Sequence, residues 1–247
     1  MKICITNDDG VHAKGLCVLA QWAKKLGDVT IFAPAIQQSG KSHSIEIHTP
    51  YRVEKVQHGT GLKAYQVYST PADCVRVAMM AMEEEFDLVF SGINHGYNLG
   101  REITYSGTVG AAAEAAMSGV HAVAVSVASH EASCFDAAGE LAVRLIDFVY
   151  GKLDPSVVIN LNVPDLPKED IKGIKVVPLG SRYYDDKFHL VEENQYSLSG
   201  NPADYSHIDY EVDVTAVHSD YATITPLQFD FTDYKNLETV KGWKINL

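Results

Sequence analysis

Short apolar runs of strand type alternate with helix-patterned segments through the first two thirds of the 247-residue chain. No other feature narrows the available folds so far. Lys2–Thr6 is an apolar run, followed by Gly15–Leu26, where Leu16, Leu19, Ala20, Ala23 and Leu26 recur at helical spacing. Val29–Ala33 is a second strand, stopped by Pro34. Thr70-Pro71-Ala72-Asp73 opens a helix, with Thr as N-cap, Pro at the first helical position and an acid at the third. Asp87–Ser91, Ala122–Val127 and Val157–Leu161 read as buried strands, and Thr108–Ser118 and Phe135–Tyr150 as the helices among them. Strands apolar on both faces of the pleat, separated by helices, require cover on both sides. That predicts an α/β fold with a mainly parallel sheet.

Two stretches break the rhythm. Thr49–Tyr68 alternates polar and apolar residues and reads as antiparallel strands inserted into the core. Beyond Pro164 the pattern turns irregular, with Ala222–Pro226 as a last strand and an apolar tail carrying Phe229, Phe231, Tyr234 and Trp243. The expected organisation is one domain over 1–247, with a core in 1–165 and a C-terminal extension in 166–247 that suits assembly.

The chain carries 20 Lys+Arg against 32 Asp+Glu, a formal charge of −12, which argues against long nucleic acid and acidic membranes as partners. Tyr183–Asp213 holds eight acids and one Lys, and reads as a solvated face. Cys4, Cys17, Cys74 and Cys134 have neither zinc nor disulfide spacing. With no signal-peptide pattern and no apolar run near the ~20 residues of a membrane span, a cytoplasmic protein is expected.

In open parallel sheets ligands bind beyond the carboxyl ends of the strands. The first strand is followed by Asn7-Asp8-Asp9-Gly10, the second by Ser39-Gly40-Lys41-Ser42, and Asp87–Ser91 by Gly92-Ile93-Asn94-His95-Gly96-Tyr97-Asn98. Adjacent carboxylates repel unless a cation or donors satisfy them, and hard oxygen ligands favour Mg²⁺ or Mn²⁺. Asp-Asp-Gly is also ordinary turn chemistry, and Asn94 and Asn98 are also turn formers. Ser106-Gly107-Thr108 leads into a helix of small residues, where free N–H groups can hold an anion or Ser/Thr can simply cap. His43, His95 and His121 fall into no HxxxH or HExxH pattern.

The segments ITNDDGVHAKGL, APAIQQSGKSHSI, STPADCV, DLVFSGINHGYNLG and YSGTVGAAAEAAMSG, with INLNVP and ITPL further on, resemble in this order the SurE family of survival proteins, the 5′/3′-nucleotidases. The resemblance implies a Rossmann-like three-layer core with an extended C-terminal arm. It implies a metal-dependent phosphomonoesterase acting on nucleoside monophosphates and in some members on short polyphosphate, assembled as a homodimer or homotetramer. The metal site, one Mg²⁺ or Mn²⁺ per subunit, then maps to Asp8, Asp9, Ser39 and Asn94, with Asp8, Asp9 and Asn94 also catalytic. Phosphate binding maps to Asn98, Ser106, Gly107 and Thr108, and the substrate pocket takes in Gly40, Ser42 and His95. Ser69, Glu46 and His121 depart from the family pattern, Ser69 with consequences for base preference.

Two other classes fit less well. A receiver-type signalling module needs an Asp at the end of a central strand and a later Lys. Here Asp87–Ser91 ends in Ser, and His130 follows VAVSVAS. A haloacid-dehalogenase-type phosphatase needs aspartates at i and i+2, whereas this pair is adjacent and position 10 is Gly.

Overall fold

A computed structural model describes residues 1–128, 132–181, 184–202 and 210–243 of the chain. His130 and Tyr183 lie outside the described residues, as do residues 203–209 of the acidic segment.

The elements run β1 (Lys2–Thr6), α1 (Lys14–Ala23), β2 (Asp28–Pro34), β3 (Val53–Gln57), β4 (Lys63–Val67), α2 (Pro71–Arg76), β5 (Leu88–His95), α3 (Gly107–Met117), β6 (His121–Val127), α4 (Phe135–Val149) and β7 (Val158–Val163). There follow β8 (Gly173–Val176), β9 (Tyr184–Glu192), β10 (Gln195–Pro202), α5 (Asp213–Val217), β11 (Tyr221–Leu227) and α6 (Tyr234–Lys241). Nine strands form one sheet in the order β3-β4-β2-β1-β5-β6-β7-β11-β8. From β4 to β7 every pairing is parallel, whereas β3 on β4 and β11 on β7 are antiparallel.

Alternation along the strands feeds two apolar layers. Ile3, Ile5, Phe90, Val123 and Val125 face α1 and α4, meeting Leu16, Leu19, Phe135 and Ala138. Cys4, Phe32, Val89, Ala122 and Ala124 face α2 and α3, meeting Cys74, Val75, Val109 and Ala112. The three-layer α/β reading therefore holds. Thr70 caps α2 as the sequence predicts, its side chain accepting from Asp73 N at 3.1 Å.

The structure refines three boundaries. Helix α1 stops at Ala23 rather than Leu26. The Thr49–Tyr68 segment is a hairpin added at the sheet edge, where β4 continues the parallel sheet beside β2. At the other edge β11 and β8 extend the sheet past residue 165, so the parts standing off it are the β9–β10 hairpin and the stretch after Leu227. The acidic segment is not wholly a solvated face either, since Asp213 is fully buried.

Chain order reverses at the centre of the sheet. From β1 the chain moves outward through β2 to β4, then returns to β5 on the other side of β1. The carboxyl ends of β1 and β5 therefore flank the crevice in which doubly wound sheets bind ligands.

A candidate active site at the carboxyl ends of the central strands

The turn after β1 is built by Asn7. This buried side chain donates to Gly10 O at 3.0 Å and accepts from Gly10 N at 3.2 Å. Closing the turn through Asn7 leaves the Asp8 and Asp9 carboxylates for other partners. The Asp8 side chain is buried, and its Oδ1 accepts from Thr108 Oγ1 at 2.6 Å. Burial pushes the Asp8 carboxyl up to about 6; the Asp9 charge adds to this and the Thr108 hydrogen bond opposes it. Asp9 accepts from His95 N at 3.3 Å, and His95 Nδ1 lies 3.6 Å from it. The His95 ring leans on Phe135, centroids 5.0 Å apart, so it is half-buried beside the carboxylate pair.

The second strand end joins through Gln37. Its Nε2 reaches both Asp9 Oδ1 at 3.4 Å and Ser39 Oγ at 3.0 Å, and Gln38 N donates to Asp8 O at 2.7 Å. Ser39 and Asp9 thus lie within the reach of one amide. The third comes from β5, which does not stop at Ser91. It passes an irregularity and pairs again with β6, Asn94 opposite Ser126. Asn94 Nδ2 donates to Gly96 O at 2.8 Å. No hydrogen-bond donor among the described residues reaches its Oδ1.

The start of α3 closes the site. Ser106 caps it, accepting from Val109 N at 3.1 Å. A Cβ at Gly107 would stand 3.0 Å from Asp8 Cβ and 3.2 Å from its Oδ2, so only glycine lets the helix end approach the carboxylate this closely. Thr108 is fully buried and, in this arrangement, spends its hydroxyl on Asp8.

Asn98 is tied into the sheet as well as lying in the loop after β5. Its backbone N donates to Asn162 Oδ1 at 2.9 Å and its Nδ2 to Ser126 Oγ at 2.8 Å, while its carbonyl accepts from Asn160 and Asn162. This buried residue anchors the loop after β5 to β6 and β7. Asp213 fixes the same loop from α5, accepting from Gly100 N at 2.8 Å and from Gly180 N at 2.6 Å. Sequence reading passed over Asn160, Asn162 and Asp213. The signal for the two asparagines was two polar residues on one face of an otherwise apolar parallel strand.

Gly40 and Ser42 occupy a loop with left-handed backbone, φ 71° and 55°. Ser42 N donates to Tyr105 O at 3.0 Å, which lays the loop against the approach to α3. Two cavities flank the carboxylates rather than enclosing them. One of about 720 Å³ is mainly apolar and borders Ser106, Ile103, Leu179 and Phe229. The other, about 560 Å³, borders Lys41, Tyr51, Arg52, Ser69 and Thr70.

The donor set suits a hard divalent cation. It offers two adjacent carboxylates, one of them pushed up to about 6 by burial, together with a hydroxyl and an amide oxygen. Among the described residues no group of three or more His, Cys, Asp or Glu gathers, as expected where half the ligands are neutral oxygens.

A sequence model of the survival protein SurE family matches residues 3–186. A protein of Clostridium beijerinckii named 5′-nucleotidase SurE is 40% identical to this chain, over 97% of the chain and 98% of that protein. A 5′-nucleotidase SurE of a Thermoanaerobacter species is 38% identical over the full length of both. The crystal structure of the SurE protein from Aquifex aeolicus superposes with a TM-score of 0.84 at 33% identity, covering 98% of each chain. With the family's motifs gathered at one sheet edge and relatives alike over their whole length, the chain belongs to the survival protein SurE family.

Proposed function

We propose that this protein is a 5′-nucleotidase, a metal-dependent phosphomonoesterase that hydrolyses nucleoside 5′- and 3′-monophosphates, and short polyphosphate as well. The observation that carries the reading is the Asp8–Asp9 pair at the switch point of the sheet, with Asp8 set against the start of α3. Relatives named for this activity support it.

Asp8, Asp9, Ser39 and Asn94 would hold one Mg²⁺ or Mn²⁺ per chain. Bound there, the cation would offset the carboxylate charge, polarise the phosphoryl group and lower the pKa of a water. Ser106, Gly107 and Thr108 bind the phosphate oxygens, using the Ser106 hydroxyl and the first N–H groups of α3 while charge shifts in the transition state. Thr108, whose hydroxyl proton goes to Asp8, offers the phosphate its backbone N–H. Gly40, Ser42 and His95 border the substrate, and His95 also steadies Asp9. Asn98 serves phosphate binding by holding the loop between Asn94 and Ser106 in place. The oxygen of one water forms the new bond to phosphorus while the P–O bond to the nucleoside breaks with its electron pair going to the nucleoside oxygen; that oxygen takes up one proton of the water and leaves as the hydroxyl, and inorganic phosphate is released.

Phosphate release from a panel of 5′- and 3′-mononucleotides, with Mg²⁺, Mn²⁺ or EDTA, tests this. Release with a metal and none with EDTA is expected. No release from any nucleotide with either metal would defeat the reading.

We further propose that the β9–β10 hairpin and the tail after Leu227 mediate homo-oligomer formation, as dimer or tetramer. Phe188, Leu190, Tyr196 and Leu198 are exposed on the hairpin, and Phe231 (88%) and Trp243 on the tail. Exposed apolar residues in this number mark an interaction surface. Four free cysteines, two of them buried, support a cytoplasmic setting. Among the described residues no helix is long and apolar enough to cross a membrane.

A further inference from the structure

Residues 35–52, between β2 and β3, form neither helix nor strand, yet they carry Ser39, Gly40 and Ser42. A stretch of this kind opens locally unless something ties it down. Two buried carboxylates do so. His43 Nε2 lies 2.8 Å from Glu114 Oε2, and the other Glu114 oxygen accepts from Arg76 Nη1 at 3.0 Å. Glu46 N donates to Asp73 Oδ2 at 2.9 Å, and the same carboxylate accepts from Ser69 Oγ at 2.5 Å and Thr70 Oγ1 at 3.1 Å. Glu114 is 7% exposed and Asp73 is 1% exposed.

The loop also lies directly on the backbone of α3. A Cβ at Gly110 would fall 2.5 Å from Ser42 O and 2.9 Å from His43 Cα. Gly110 and Glu114 are one turn apart on α3, and Thr108 sits at the start of the same helix. The helix that meets Asp8 through Thr108 therefore also holds the Ser42–His43 segment, through a gap at Gly110 and a carboxylate at Glu114. Burying a carboxylate is costly unless it is paired and hydrogen-bonded. Glu114 is the lone charged residue in α3, and its two partners are the loop and α2.

We propose that Glu114 and Asp73 are positioning residues for this site, which clamp the 35–52 segment onto α3 and α2 and thereby set Ser39 near Asp9 and Ser42 against the first turn of α3. The proposal rests on the assignment of Ser39 and Ser42 to the site. Neither carboxylate has a bond to Asp8 or Asp9, so both act through the loop. Glu114 works through a side chain, His43, and Asp73 through the backbone of Glu46. The two attachments lie three residues apart, at His43 and Glu46, so loss of either loosens the middle of the same segment.

Limited trypsin digestion of the full chain reads the clamp directly, because Lys41 lies exposed in the loop. Glu114→Ala and His43→Ala should each speed cleavage after Lys41 by about tenfold and leave cleavage elsewhere unchanged. With Mg²⁺ or Mn²⁺ and a mononucleotide, KM should rise about tenfold while kcat stays within about threefold. Glu114→Gln keeps an acceptor for His43 and should recover most of both losses. Asp73→Asn should loosen the loop in the same way. Unchanged cleavage after Lys41 in all of these variants would overturn the proposal, and so would an equal acceleration at every tryptic site. Ser39→Ala, run in parallel, tests the site assignment separately: full metal-stimulated activity there would reject Ser39 as part of the site, while the cleavage pattern still judges the clamp.

Discussion

Asp8 concentrates the chemistry of the site in one side chain. It is buried, adjacent to a second carboxylate, and bonded to Thr108. Its folded-state pKa of about 6 stands above the ordinary 3.8, so between those values the folded protein holds the proton that the unfolded chain releases. Without a cation, the Asp8 contribution to stability is fully present below about 3.8 and is lost as pH rises through about 6. Asp8→Asn removes the ionisation. In EDTA the wild-type Tm should fall between pH 4.5 and pH 7 by more than that of Asp8→Asn, as thermal melts at the two pH values will show. The same variant should lose activity by about two orders of magnitude or more, because it removes charge from the proposed metal site. Thr108→Val removes the donor to a buried carboxylate and should cost about 2 kcal/mol at pH 7, measured by urea unfolding without metal. Asp8 and Asp9 were legible in the sequence because two acids at a strand end need an explanation. Glu114 and Asp73 were not. A lone acid in an Ala-rich helix and an acid at a helix start both have ordinary local readings, and only the loop folded across them shows what they hold.

At the scale of elements, α3 does the most. Its residues from Gly107 to Ala116 are all buried, which is why the sequence there is almost wholly Gly and Ala. Small side chains let it lie close to the sheet, to Asp8 at one end and to the Ser42–His43 backbone at the next turn. Gly110→Val should push the loop away. The expected cost is about 1–3 kcal/mol of stability, seen as a lower urea midpoint, with KM raised for a mononucleotide. Strand β5 shows why Asn94 was placed in a loop by sequence. Gly92 breaks the apolar run at Ser91, yet past a register shift β5 pairs again with β6, Asn94 opposite Ser126 and His95 opposite Val127. Asn98 shows the converse. Its neighbours in sequence point to a ligand, and the structure adds bonds to Ser126, Asn160 and Asn162, which come from strands 28 to 64 residues away and anchor it.

At the scale of the molecule, the fold gathers residues separated by a hundred positions and more, as the Asp8–Thr108 and Gly100–Asp213 pairs show. The apolar side chains exposed on the β9–β10 hairpin belong to the same scale. If they mediate assembly, replacing Phe188 and Leu198 with Ser should shift the molar mass in light scattering to that of one chain, with the main thermal transition unchanged. An unchanged mass would remove the hairpin from the interface. The charge of −12 takes on a narrower meaning here. It still disfavours long polyanions, while on the proposed function a small phosphate ester would be admitted through a cation at Asp8 and Asp9. The sequence by itself determined the α/β alternation, the helix caps and the strand ends that carry chemistry, because each follows from local periodicity and local backbone preference. The tertiary structure alone decided that β11 and β8 complete the sheet, that Asn98 and Asp213 brace the loop after β5, and that buried carboxylates meet the loop between β2 and β3. Those outcomes depend on which distant groups can pair once water is excluded, and that choice is made by the packed fold rather than by neighbours along the chain.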